Sequence, residues 1–135
     1  MIKKQTVYNK EWSKRQIEKG MCIFCKNPHL KNQKTCCKCF MKNLSHRLTG
    51  NRKLHEALYG KLIQQDYKCY LTGEELELGT NASIDHVIPI SENPALKDEI
   101  DNLRWCTIEI NRMKTNISTE RFFELCKMVV NMEKK

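Results

Sequence analysis

Several classes of protein are excluded by what this chain has little of. Aromatic residues make up 7% of its 135 residues, against 40% hydrophobic residues overall. That argues against a large self-sufficient core and favours an external staple such as a metal site. No stretch approaches the roughly 18 consecutive apolar residues of a membrane-spanning helix. The opening residues 1–16 are polar and lack the apolar region of a secretory signal, so a cytoplasmic protein with no membrane partner is the expectation. There is no internal repeat and no low-complexity tract. Acidic residues are scarce in the first half. Residues 1–68 carry 16 Lys/Arg against 4 Asp/Glu, whereas residues 69–135 carry 8 against 12, for a formal charge of +8. A basic half beside an acidic half predicts that one docks on a polyanion while the other does something else. The plainer alternative is a charged surface that keeps a small protein soluble. The length suits one small domain or two very small modules.

What the chain does have is cysteine. Eight cysteines without an export signal read as metal ligands or reduced thiols before disulfides. Cys22-x2-Cys25-x10-Cys36-x2-Cys39 is a pair of CxxC knuckles joined by ten residues. Each knuckle presents two thiolates from a tight turn, and two such turns complete a tetrahedron around Zn²⁺. A closed four-thiolate shell leaves no open position for water, so this site is expected to be structural. Cys37 can replace Cys36 or Cys39 in register, and His29 can replace one thiolate. Cys69, Cys106 and Cys126 have no CxxC partner and read as thiols filling core positions. Lys26, Lys31, Lys34, Lys38 and Lys42 stud the knuckles, which suits phosphate contacts. Few aromatics intersperse them, so base stacking on single strands is not supported.

Local signals organise the rest. Residues 1–20 form a basic arm, mobile or a short helix, and residues 21–45 the zinc-binding motif. Residues 46–66 form a basic linking helix, within which Leu54, Ala57, Leu58, Leu62 and Ile63 make one apolar stripe after Gly50. Arg47, Arg52, Lys53 and Lys61 are candidates, with Lys38 and Lys42, for DNA contacts. Residues 67–135 read as an α+β unit. A β-like run turns at Gly73, and a short strand over 82–90 is followed by a polar loop and a second extended segment at 102–105. Thr107 caps one helix, and Ser118 or Thr119 caps a last one whose apolar face holds Phe122, Leu125, Cys126, Val129 and Val130.

The chemistry concentrates on four residues of this second half. Hydrolysing a phosphodiester needs an activated water, a cation at the phosphate, and groups that fix geometry. His86 suits general-base work near neutral pH. Asp85 is a hard oxygen donor for Mg²⁺ or Mn²⁺, and Asn111 can offer a neutral carbonyl oxygen to the same ion. Neighbours in a strand point to opposite faces, so Asp85 and His86 would act from two sides of one phosphate. Each residue alone has a plainer reading as a turn, a solvated helix position or a strand end.

Together they carry a resemblance. The string from Cys69 to Cys126 has the Thr72-Gly73 turn, Ile84-Asp85-His86 with Ile88-Pro89, the Asn102-Leu103-Arg104-Trp105 block and Asn111-x-x-Lys114. It resembles HNH nucleases of the ββα-metal fold, especially small phage and intron homing endonucleases, over about 60 of 135 residues. The resemblance implies a small ββα-metal module preceded by a four-cysteine zinc knuckle and a linking helix. It implies Asp85 as metal ligand, His86 as general base and Asn102 as the brace of the motif loop that helps orient the base. Asn111 takes the place where many members have a second His as metal ligand, a change that suits Mg²⁺ or Mn²⁺ better than zinc. Arg104 and Lys114 would contact phosphate. The expected activity is site-specific cleavage of double-stranded DNA that leaves 5′-phosphate and 3′-hydroxyl ends. The alternative is a zinc-dependent nucleic-acid-binding protein with an inactive scaffold. Monomer and dimer both stay open.

Overall fold

The computed structural model describes the backbone of residues 2–25 and 27–134, and the side chains of residues 10–25 and 27–134. Lys26, one of the lysines expected at the knuckles, lies outside the described residues. The N-terminal arm is a helix, α1 (Ile2–Glu18). Its buried Gln16 docks it: the side-chain amide donates to the carbonyls of Cys22 (3.1 Å) and Cys25 (3.2 Å). Among its described residues, the cysteine loop that follows has no helix or strand of its own beyond a Met21–Pro28 bridge. Isolated backbone bonds, such as Cys22 N–H to Asn27 O at 2.8 Å and Ile23 N–H to Lys34 O at 3.0 Å, shape it.

The linking helix expected over 46–66 is in fact split. α2 (Cys37–Thr49) begins inside the cysteine motif and ends at Gly50, which takes φ +77° and donates its N–H to His46 O. That left-handed cap costs glycine nothing and stops the helix. A 3-10 turn (Arg52–Leu54) leads into α3 (His55–Gln64). The apolar stripe is narrower than its periodicity predicts. Leu58 and Leu62 are buried, while Ile63 is 56% exposed.

Residues 67–76, the β-like run, form a looped turn and no strand. Cys69 N–H donates to Glu74 O (2.8 Å) and Leu76 N–H to Tyr67 O (2.7 Å). The chain then makes β1 (Ala82–His86), two 3-10 turns at Pro94–Leu96 and Ile100–Asn102, and β2 (Leu103–Thr107). The two strands pair antiparallel from Ala82 opposite Thr107 to His86 opposite Leu103. α4 (Ile108–Lys114) starts at the expected cap, where Thr107 Oγ1 accepts from Ile110 N–H. Ser118 is the cap of α5 (Thr119–Glu133), accepting from Arg121 N–H.

The result is a small α+β domain with one core, not two modules. Met41 from α2, Leu58 and Leu62 from α3, Cys69, Leu76, Ile84 from β1, and Leu103, Trp105 and Cys106 from β2 pack as one cluster. Trp105 is its keystone, with its indole N–H on Leu58 O (2.7 Å) and its backbone N–H on Gln65 Oε1 (2.8 Å). Cys69 and Cys106 fill core positions as expected; Cys126 is half-buried. The cysteine loop also touches the second half. Gln33 Nε2 donates to Gly79 O (2.9 Å), and Gly79, at φ +81°, has no room for a Cβ, which would lie 2.6 Å from Gln33 Cγ. α5 departs from its expected packing. Phe122 is buried, but Val129 is 70% and Val130 46% exposed; the helix is tied to the sheet half at its first residue, where Thr119 N–H donates to Val87 O (3.2 Å) and Thr119 Oγ1 lies 2.9 Å from the Tyr70 hydroxyl. Among the described residues, no helix is long and apolar enough to cross a membrane.

Candidate functional site

Two separate constellations carry chemistry. The first is the cysteine cluster. The sulfur atoms of Cys22, Cys25, Cys36 and Cys39 all lie within 4.8 Å of one another and could hold a structural metal such as zinc. Two of them come from the loop, and two come from the start of α2, where Cys36 occupies the capping position. Helix N-termini favour thiolates. Backbone N–H groups also point at the sulfurs, as Phe24 N–H does at Cys22 Sγ (3.4 Å). Burial works against a Cys22 thiolate, yet the N–H groups of Cys36, Phe24 and Cys25 outweigh it and bring the thiol down to about 6. Burial and the neighbouring thiols push Cys39 up to about 12. Like charges this close cannot coexist unaided, and a divalent cation is what would let all four ionise together. The open alternatives resolve. Cys37 packs against the core, and His29 turns its ring nitrogen Nδ1 to Leu30 O (2.9 Å), so neither joins the cluster.

The second constellation is a cleft of about 250 Å³ between β1, α4 and the turn after β1. Asp85, His86 and Asn111 all line it. Asn111 and Lys114 stand three residues apart on α4 and so share the face turned to β1. Asn111 Nδ2 donates to Ser83 Oγ (2.8 Å) and Ile84 O (3.3 Å). A carbonyl only accepts, so the amide nitrogen must face the strand, and Oδ1 is turned away from it. His86 Nε2 lies 3.1 Å from Lys97 O. By the same argument the ring proton sits on Nε2, which leaves Nδ1 as the basic nitrogen of a neutral ring.

Asn102 is buried and does not line the cleft; it holds the chain immediately after His86. Its Oδ1 accepts from Ile88 N–H (2.9 Å), its Nδ2 donates to Ile88 O (3.0 Å), and its own carbonyl accepts from Val87 N–H (2.9 Å). Replacing Asn102 with alanine removes both side-chain bonds to the part-buried backbone groups of Ile88, and is expected to lower stability by about 1 kcal/mol in urea denaturation.

Asp85 is 5% exposed and its carboxylate is already engaged. Lys114 Nζ lies 3.1 Å from Oδ1 and 3.0 Å from Oδ2, and the Tyr70 hydroxyl donates to Oδ2. Thr119 Oγ1 lies 2.9 Å from the same hydroxyl. Burial, with the bond to Asp85, pushes the Tyr70 phenol well above its ordinary range, so it stays a donor. This overturns one expectation: Lys114 does not reach phosphate, because it is 1% exposed and spent on Asp85 and on His86 O (3.2 Å). Arg104 is also drawn inward, its guanidinium donating to the carbonyls of Asp101 and Leu103 at 2.8 Å. Lys61 pairs with Asp101 at 3.6 Å. Lys38, Arg47, Arg52 and Lys53 are exposed and Lys42 half-buried on or beside α2. Nothing in the sequence singles out Tyr70, and Thr119 reads there only as a candidate helix cap. Only the fold brings residues this far apart onto one carboxylate, and no spacing signals it.

Comparison with family models, with curated proteins and with solved structures finds no match. The fold and the thiol cluster therefore define the class on their own terms: a small α+β domain with a two-stranded sheet and a four-cysteine site suited to a structural metal.

Proposed function

We propose that this chain is a metal-dependent endonuclease of the HNH type that hydrolyses phosphodiesters of double-stranded DNA, with residues 21–49 held by a structural zinc. The observation that carries the reading is the convergence of Asp85, His86 and Asn111 on one cleft, in strand–strand–helix order, with Asn102 locking the turn behind His86. A Mg²⁺ or Mn²⁺ ion held by the Asp85 carboxylate and Asn111 Oδ1 would supply positive charge at the phosphate and the leaving oxygen. His86 removes the proton of the attacking water through Nδ1, since Nε2 is committed to Lys97 O. Asn102 keeps that ring in place by fixing the backbone beside it. Asp85 and His86 are consecutive in β1 and act from opposite faces of the strand. Attack on phosphorus with loss of the 3′ oxygen gives 5′-phosphate and 3′-hydroxyl ends. A site-specific enzyme of the homing type is the form of this activity that we favour.

The duplex would lie along α2. Lys42, Asn43, His46 and Arg47 fall at helical spacing on one side of it. An open groove of about 520 Å³, which Gln33, Asn43, His46 and Arg47 help to line, runs between α2 and the cysteine loop. Lysine and arginine there neutralise phosphate, while amides suit base edges. Replacing Lys42 and Arg47 together with glutamine is expected to weaken duplex binding for all sequences alike. The slope of log affinity against log salt should fall by about 0.9 per charge removed, as read by fluorescence anisotropy.

A second reading, a zinc-dependent DNA-binding protein without catalysis, draws on the fact that Lys114 already neutralises Asp85. Supercoiled plasmid incubated with the protein and Mg²⁺ or Mn²⁺, with and without EDTA, separates the two. Nicking that EDTA abolishes is expected, and no nicking under any condition would favour the second.

A further inference from the structure

The lysine buried beneath the cleft has a role that the hydrolytic scheme above does not use. Lys114 Nζ lies 3.0–3.2 Å from three oxygens: both of the Asp85 carboxylate and the His86 carbonyl. An ammonium has three protons, so this shell satisfies it completely. The arrangement is that of a cation in an oxygen nest, with the cation tethered to α4. Burying it to 1% exposure carries a desolvation cost that only tight pairing offsets.

The charge count of the cleft follows. Among the described residues, Asp85 is the one carboxylate that lines it, and Asn111 offers an uncharged amide. With Lys114 in place, the net charge around Asp85 is zero. Divalent ions are held by oxygen ligands whose summed negative charge sets the affinity, and a site of zero net charge holds them weakly. The carboxylate is nonetheless not used up. It offers about four lone-pair directions, of which Lys114 takes one on each oxygen and the Tyr70 hydroxyl one on Oδ2. One direction on Oδ1 is left. What the site lacks is negative charge, and a DNA phosphate carries it.

We propose that Lys114 is a built-in counter-cation that keeps divalent ions out of the free protein, so that the metal enters the cleft together with a DNA phosphate. The second clause rests on the endonuclease reading; the first stands without it. Lys114 is thus a positioning residue. It holds the Asp85 carboxylate in one orientation, with Tyr70, and couples metal binding to substrate binding.

The test is Mn²⁺ binding to the zinc-loaded full chain in the absence of DNA, by calorimetry and by the shift of the melting temperature with added Mn²⁺. Wild type is expected to bind Mn²⁺ no more tightly than about millimolar. Lys114→Gln, which keeps an amide donor in the nest, should bind at least about tenfold more tightly, because a like charge next to the ion is gone. Combining it with Asp85→Asn should remove the gain. Adding duplex DNA to wild type should raise Mn²⁺ affinity by a similar factor. If Lys114→Gln is unfolded without the ion, the Mn²⁺ concentration that restores its native circular dichroism reads the same affinity. A Lys114→Gln protein that binds Mn²⁺ no better than wild type, or is not restored by it, overturns the proposal. A gain in Mn²⁺ affinity without nicking of any DNA by wild type would sink the endonuclease reading and leave the counter-cation standing. Nicking by wild type with no gain in the variant would do the reverse.

Discussion

Stripping the metal from the Cys22, Cys25, Cys36 and Cys39 cluster is expected to unfold residues 20–36 and to destabilise the whole chain. The loop has almost nothing else to order it. Among the described residues from Gly20 to Cys36, the buried side chains are those of Cys22, Thr35 and Cys36, and two of the three are cluster members. Structural zinc sites contribute about 10 kcal/mol or more to folding in small domains. The damage would not stay local. Cys36 and Cys39 set the start of α2, whose Met41 sits in the same core as Trp105 and Ile84. If even about 5 kcal/mol reaches that core, the melting temperature should fall by about 15 °C or more. Thermal denaturation followed by circular dichroism, before and after removal of zinc by a strong chelator, measures this. Cys22→Ser should reproduce the fall. An unchanged melting temperature would mean that the backbone bonds of the loop suffice without a metal.

The second large effect is expected at His86. Replacing it with alanine should lower the single-turnover nicking rate by about 10²–10⁴-fold, the usual worth of a positioned general base. Stability should change little, because the residue is only half-buried and its ring makes a single hydrogen bond, to the carbonyl of exposed Lys97. DNA affinity should also hold, since His86 lies in the cleft and the proposed duplex contacts Lys42 and Arg47 are on α2. The combination separates chemistry from binding and from folding. Asn102→Ala should differ in kind: it lowers stability as well as rate, because its amide supports the turn and does not line the cleft.

Much of this arrangement is legible in the residues because it is local. The CxxC spacing brings Cys22, Cys25, Cys36 and Cys39 together, and Thr107 caps α4, both through short-range geometry that a sequence displays directly. Asp85, His86 and Asn111 are legible as a set because β1 and α4 are each clear in pattern and β2 leads straight into α4. Elsewhere tertiary competition decides. The helix expected over 46–66 breaks at Gly50, where a glycine free to adopt positive φ ends α2. The apolar face of α5 looks like core by periodicity, but periodicity does not say how much of a helix its neighbours can cover. Only Phe122 is buried there. The largest miss is Lys114. A lysine near a presumed phosphate site reads as a surface cation, and nothing in the spacing announces that α4 turns it inward onto Asp85. Tyr70 is hidden for the same reason: it precedes Asp85 by fifteen residues, and the turn between them sets the distance.

The most direct measurement is a time course of supercoiled plasmid with zinc-loaded protein in Mg²⁺, run beside the His86→Ala protein at equal DNA occupancy and beside wild type in EDTA. Open circles are expected from wild type in Mg²⁺, sealed again by DNA ligase without pretreatment, and almost none from the other two. Equal nicking by wild type and His86→Ala, or nicking that persists in EDTA, would contradict the proposed mechanism.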